Sequence, residues 1–217
     1  ANLDYDNLFF LTVTGRNDWF SVLNPGFNSI FYPSIGGSFI LSDVVKMPKF
    51  IDFAKLRSSW AEVGSATVNA GSINQIYSIS NLNAYGLPTL SNPNILPNPN
   101  IRPITATTIE GGFDVRMLDN RLGIDVNYYS RRTKNDILAP PISNATGYTA
   151  GPQNMGLITN KGWEITLSGN PIKKNDFSWN IVYNFSYNQS ELIELAPGID
   201  VLTLGNAIGG PNMINAV

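Results

Sequence analysis

Cysteine and histidine are both missing from this chain of 217 residues. Without cysteine there is no disulfide, no thiolate nucleophile and no thiolate metal site, and nothing marks a redox compartment. Without histidine the usual general base and the commonest metal ligand are gone. No apolar run approaches the roughly 20 residues that a transmembrane helix needs. Nor is there a basic run to follow a phosphate backbone, and the net charge is -2, so nucleic acid is not an expected partner. The serines have no histidine to activate them. Glu110, Asp114, Asp125 and Glu164 lie in different segments, with no spacing that sets two carboxyl groups at hydrolase distance. There is no EF-hand-like ligand series and no phosphate-cradling glycine loop. An enzyme is not expected, and neither is a cofactor. Helical periodicity is almost absent too: its best stretch, SDVVKMPKFIDFAK, is interrupted by Pro48.

What the chain does have is a period of two. In FSWNIVYNFSYNQ, residues 177–189, Phe177, Trp179, Ile181, Tyr183 and Phe185 share one side, and Asn180 and Asn184 lie on the other. The same alternation predicts about seven strands, at residues 6–15, 32–42, 54–64, 104–116, 121–131, 161–169 and 177–189. The links between them alternate between long and short. Residues 16–31, 65–103 and 132–160 are long, whereas 43–53, 117–120 and 170–176 are shorter. In an up-and-down antiparallel sheet all the long links emerge on one edge.

Two environments suit such strands. A soluble all-β sandwich, read here as a glycan-binding module, alternates in this way. So does a transmembrane barrel, whose mean hydropathy stays low because only one face is apolar. Runs of about nine to eleven residues and the parity of the links favour the barrel, since soluble strands are usually shorter. On that reading Trp163, Ile165, Phe177, Trp179, Ile181, Tyr183 and Phe185 face lipid. Glu110, Asp114, Asp125, Asn127, Glu164, Asn180 and Asn184 face a wet or plugged lumen, where acids stay solvated. Seven strands do not close such a barrel, so the chain is expected to be an internal piece of a longer protein. Its ends agree: ANLDYDNLFF is not a signal peptide, and GNAIGGPNMINAV reads as loop.

Two motifs stand out in the links. RNDWFS begins a long one, and Arg16, Asp18 and Trp19 are candidates for contact with a glycan or peptide. The plainer reading is an interfacial aromatic beside a charge pair that holds the loop base. NPNILPNPNIRP, residues 92–103, reads as an extended, poorly hydrogen-bonded segment. It is either a partner-contacting loop or a rigid connector. The glycine pairs in IGGSF and EGGFD mark bends or close packing within strands.

Several ordered segments resemble the barrel of SusC/RagA-type TonB-dependent outer-membrane transporters. They are LTVTGRNDWFS, FYPSIGGSFILS, AKLRSSWAEVG, LDNRLGIDVNYYSRRTKNDIL and NMGLITNKGWEITLSGNPIKKNDFSWNIVYNFSYNQS. The resemblance implies an antiparallel up-and-down transmembrane β-barrel of roughly 22 strands, with this chain (residues 1–217) as part of its wall. It implies uptake of oligosaccharides or peptides across the outer membrane, with the long links extracellular. It also implies partners: a SusD-like lipoprotein over the mouth, TonB, outer-membrane lipid, and a dimer of transporter–lipoprotein pairs. The plug, the TonB-contacting segment and the closing strands have no counterpart in these residues.

Overall fold

A computed structural model describes residues 1–80, 87–174, 176–195, 201–207 and 210–215. Among them the chain is all-β, with two single turns of 3-10 helix. The strands are β1 (Asn2–Tyr5), β2 (Phe9–Trp19), β3 (Ser29–Ile40), β4 (Ile51–Ser65), β5 (Ser78–Ser80), β6 (Thr89–Ser91), β7 (Ile104–Met117), β8 (Leu122–Leu138), β9 (Gln153–Lys173), β10 (Ser178–Glu194), β11 (Val201–Ala207) and β12 (Gly210–Asn215). Eight of them form one antiparallel sheet in the order β1-β2-β3-β4-β7-β8-β9-β10. Neighbours in that sheet follow one another along the chain, except where the small β5-β6 sheet occupies the link before β7. β11 and β12 pair with each other.

The sheet departs from the sequence reading in instructive ways. It has eight strands rather than seven, because residues 2–5 pair back onto β2 through Tyr5↔Phe9 and Leu3↔Leu11. Residues 6–8 are not strand but turn. Asp6 and Asn7 have φ of 55° and 53°, and Asn7 N–H donates to Asp4 Oδ1 at 3.0 Å; this is the pair of left-handed positions that a tight hairpin requires. Strands β8, β9 and β10 are 17, 21 and 17 residues long, well beyond their apolar stretches. In RRTKND, polar side chains on both faces leave no alternation to read, yet the ladder continues through Lys134↔Leu157 and Leu138↔Gln153. The helix-like stretch around Pro48 is a turn followed by β4, and part of the loop-like C-terminal segment lies in β11 and β12. The first long and short links, now residues 20–28 and 41–50, no longer differ in length; 66–103 and 139–152 remain long, opposite the tight turn at 118–121 and the short link 174–177.

Each strand buries little and instead presents two faces. One cross-strand row runs Phe9↔Phe39↔Leu56↔Phe113↔Val126↔Ile165↔Phe185. Every member is apolar. Phe9 is the first apolar residue of β2, whereas Phe185 stands near the far end of the apolar stretch of β10. The row four residues further toward the long links behaves differently along its length: Ile35, Trp60 and Ile109 are apolar, then come Ser130, Lys161 and Gln189. The apolar band therefore crosses the sheet diagonally. Its border toward the long links is set by Phe31, Trp60, Ile109, Tyr128, Trp163 and Tyr187, mostly aromatic, and the Tyr128 and Trp163 rings meet at 4.8 Å.

Glycine shapes the other face at one position in particular. Gly112 of β7 stands between Arg57 of β4 and Asn127 of β8. A Cβ there would lie 2.6 Å from Val126 O and 3.0 Å from Arg57 Nε. The missing side chain is what lets Arg57 reach over β7 to Asp125 on β8.

The turn into β8 is built from Leu118, Asp119 and Asn120, with φ of 59°, 55° and 58°. Asn120 N–H donates to Asp52 Oδ2 at 2.9 Å and Leu118 N–H to Phe50 O at 2.9 Å. Leucine is a poor occupant of a left-handed position. Leu118→Gly is expected to stabilise the intact protein by about 1 kcal/mol, read as a higher urea midpoint. Gly112→Ala is expected to cost about 1–3 kcal/mol by overpacking against Val126 O and Arg57, and a midpoint unchanged from wild type would contradict the crossing.

Candidate functional site

The polar face is the first candidate surface. Register places Asp114 directly opposite both Lys55 and Asp125, Glu110 opposite Ser59 and Tyr129, Asn127 opposite Glu164, and Thr166 opposite Asn184. Glu110, Asp114, Asp125, Asn127, Glu164 and Asn184 thus share one face. Asn180 falls at the irregularity between Trp179 and Ile181 and has no registered partner. Two carboxylates facing each other at Asp114 and Asp125 would repel. Arg57 offsets this with a two-pronged contact, Nη1 to Asp125 Oδ2 at 2.7 Å and Nη2 to Oδ1 at 2.6 Å, while Arg116 lies 3.8 Å from Asp114. Both members of the Arg57–Asp125 pair stay about one-third exposed. Further along, Thr166 Oγ1 donates to Asn184 Oδ1 at 2.9 Å. Beside Arg57 a recess of about 280 Å³ opens over Gly36, lined by Phe10, Thr12, Lys55, Ser59, Glu110 and Asn127 among others.

Arg57 was missed in the sequence, where only the acids and amides of that face drew attention. The signal was there: Lys55, Arg57 and Ser59 share one parity in AKLRSSWAEVG, and the glycine pair of EGGFD supplies the gap opposite.

The second candidate lies at the end of β2 and does not hold together as one site. Arg16, Asp18 and Trp19 belong to β2 itself and not to a loop. Arg16 Nε donates to Asp18 Oδ1 at 2.7 Å. Tyr32 OH donates to the other oxygen of Asp18, and the guanidinium carbon of Arg16 stands 5.9 Å from the Tyr32 ring centroid. Trp19 points to the opposite face, opposite Ser29, and is 69% exposed. The plainer reading, an interfacial aromatic next to a charge pair, describes this geometry.

The 92–103 segment is not poorly hydrogen-bonded. Leu96 N–H donates to Ala150 O at 2.8 Å, Thr149 N–H to Asn94 O at 2.7 Å and Asn98 N–H to Ser72 O at 2.8 Å. Asn98 Nδ2 also donates to Pro152 O at 2.9 Å, and Ile101 is fully buried. The two long links 66–103 and 139–152 are thereby stitched into one unit. Among the described residues, no group of three or more histidine, cysteine or acidic side chains is placed to hold a metal ion.

Comparison with known proteins agrees with this architecture. Residues 1–215 match the family described as TonB dependent receptor-like, beta-barrel. TonB-dependent receptor P26 of Formosa agariphila is 28% identical over 209 residues, covering 94% of this chain and 21% of that protein. TonB-dependent receptor SusC of Bacteroides thetaiotaomicron is 31% identical over 104 residues, 48% of this chain and 10% of that one. The chain thus spans about a fifth or less of these curated relatives. Among solved structures, the RagAB peptide transporter superposes with a TM-score of 0.88 at 22% identity, covering 99% of this chain and 24% of that chain. The siderophore receptor PirA from Pseudomonas aeruginosa reaches 0.56 at 19% identity. The chain belongs to the TonB-dependent receptor-like β-barrel family.

Proposed function

We propose that this chain is a section of barrel wall in an outer-membrane transporter that takes up oligosaccharides or peptides by a TonB-dependent route. The observation that carries the reading is the diagonal apolar band. Barrel strands tilt by about 35–45° to the membrane normal, so a level hydrocarbon slab has to cut across cross-strand rows at an angle. The row from Phe9 to Phe185 does this, entering at one border of the band and leaving near the other. Aromatic residues at the border match the girdle found where barrel walls meet the headgroup region.

On this reading Trp163, Ile165, Phe177, Trp179, Ile181, Tyr183 and Phe185 contact hydrocarbon. Trp163 and Phe185 are 47% and 45% exposed, and no second layer covers them among the described residues. A soluble glycan-binding sandwich requires such a layer. Glu110, Asp114, Asp125, Asn127, Glu164, Asn180 and Asn184 then face the lumen, where the Arg57–Asp125 fork borders the transport path. Sheet edges at β1 and β10 imply further strands, and the plug and TonB contact belong elsewhere in the full-length protein. The stitched unit of residues 66–103 and 139–152 stands on the extracellular side, beneath a SusD-like lipoprotein; the pair assembles as a dimer of transporter–lipoprotein pairs. RagAB, whose structure this chain resembles, is a peptide importer, which is consistent with this class of cargo.

Adjacent residues of β10 test the assignment. Phe185 faces Ile165 within the apolar band, and Asn184 faces Thr166 on the other side. In the full-length protein, Phe185→Arg is expected to destabilise the barrel by about 2–4 kcal/mol and to lower the heat-modifiable folded band on a gel. Asn184→Arg is expected to leave it near wild type. Equal tolerance at the two positions would overturn the lipid assignment.

A further inference from the structure

The NPNILPNPNIRP segment holds an arginine that the barrel wall does not use. Arg102 is fixed from several directions. Asn154 clamps its backbone at both ends: Arg102 N–H donates to Asn154 Oδ1 at 2.7 Å, and Asn154 Nδ2 donates to Arg102 O at 2.8 Å. The neighbours on either side, Ile101 and Pro103, are buried while Arg102 is exposed. Its guanidinium carbon lies over the Phe27 ring, 4.9 Å from the centroid. The charge is left unmatched: among the described residues the three ion pairs involve Arg16, Arg57 and Arg116, and Arg102 has no carboxylate partner. Around it opens a cleft of about 530 Å³ whose lining includes Asn98, Asn100, Asn135 and Gln153.

We infer that this cleft binds a carboxylate group of the transported cargo, an assignment that rests on the uptake reading above. A guanidinium presents a flat fork of N–H donors that fits a planar carboxylate two-to-two. The Asn154 clamp fixes the backbone of residue 102 and the Phe27 ring steadies the guanidinium, so less side-chain freedom is lost on binding. The amides of Asn100 and Gln153 add neutral donors and acceptors beside the charge. Strand addition by a peptide backbone is not available here, because Leu96 and Ala150 already bond each other. Recognition therefore runs through the charged group, which either an acidic peptide or a uronate-bearing oligosaccharide supplies.

The test uses the full-length protein in detergent, titrated calorimetrically with four probes. These are a trigalacturonate, its methyl ester, an acidic hexapeptide with free carboxylates, and the same peptide fully amidated. The expected result is that one carboxylate probe binds, identifying the source, and that Arg102→Ala weakens it about tenfold while leaving the neutral counterpart unchanged. Arg102→Lys should recover only part of the loss, since an ammonium has no fork. Phe27→Leu, which removes the stack and no charge, should weaken the same probe by a few-fold and keeps the idea testable if Arg102→Ala does not fold. Equal binding of charged and neutral probes, or an Arg102→Ala protein that loses both alike, overturns the carboxylate assignment and leaves the uptake reading standing. A wild-type protein that binds none of the four likewise overturns the carboxylate assignment, whereas the uptake reading rests on the comparison of Phe185→Arg with Asn184→Arg.

Discussion

A sheet that faces hydrocarbon has to satisfy all of its backbone N–H and C=O groups within itself, because lipid offers no partner and each orphaned group costs several kcal/mol, by order of magnitude. On the proposed barrel-wall reading, much else in this chain follows from that constraint. It explains why the ladder is continuous over eight strands joined by tight turns and long links, and why strands persist through RRTKND where side-chain patterning has ceased. It also explains why side chains carry so little of the folding burden in the usual sense. Among the described residues the buried apolar ones are few, including Leu23, Ala54, Ile101, Ala106, Met155 and Leu195, and several cluster near the long links rather than between layers. On the proposed reading the wall is held by the ladder, by the hydrocarbon around it and by what the polar face encloses.

Much of the wall could be read in the residues because the period of two is a direct consequence of the pleat. The faces of β7, β8, β9 and β10 followed from counting alone, and register then placed Asp125, Glu164 and Asn184 on one side as expected. Strand ends were less legible. They depend on backbone pairing, which leaves no mark where both faces are polar, as at Lys134↔Leu157. The short strand β1 was hidden for a related reason: Asp6 and Asn7 look like strand continuation until their left-handed conformations turn the chain back. Contacts across strands were the least legible. That Trp19 parts company with Arg16 and Asp18 follows from parity, but that Tyr32 completes the charge pair requires knowing which strand lies alongside.

The long links teach a different lesson. A proline-rich stretch with few apolar residues was expected to make few hydrogen bonds, since proline lacks a donor. Main-chain groups between the prolines, with the side chains of Asn98 and Asn154, do that work instead. Asn94 accepts a backbone donor through its carbonyl, Asn98 donates to Pro152 O, and Asn154 reaches from β9 to grip residue 102. The prolines stiffen the path, and the backbone groups between them, helped by two asparagine side chains, fasten it.

Arg57 spanning Gly112 has an effect beyond local charge. Alternating faces forbid a strand from sliding by one residue, which would turn its apolar side to water, but they do not forbid sliding by two. A two-residue slip of β7 would replace Gly112 beneath the guanidinium with Glu110 or Asp114, each carrying a side chain where only a hydrogen atom fits. The fork to Asp125 works as a cross-brace between strands that do not touch, and it admits a single alignment of the strand between them.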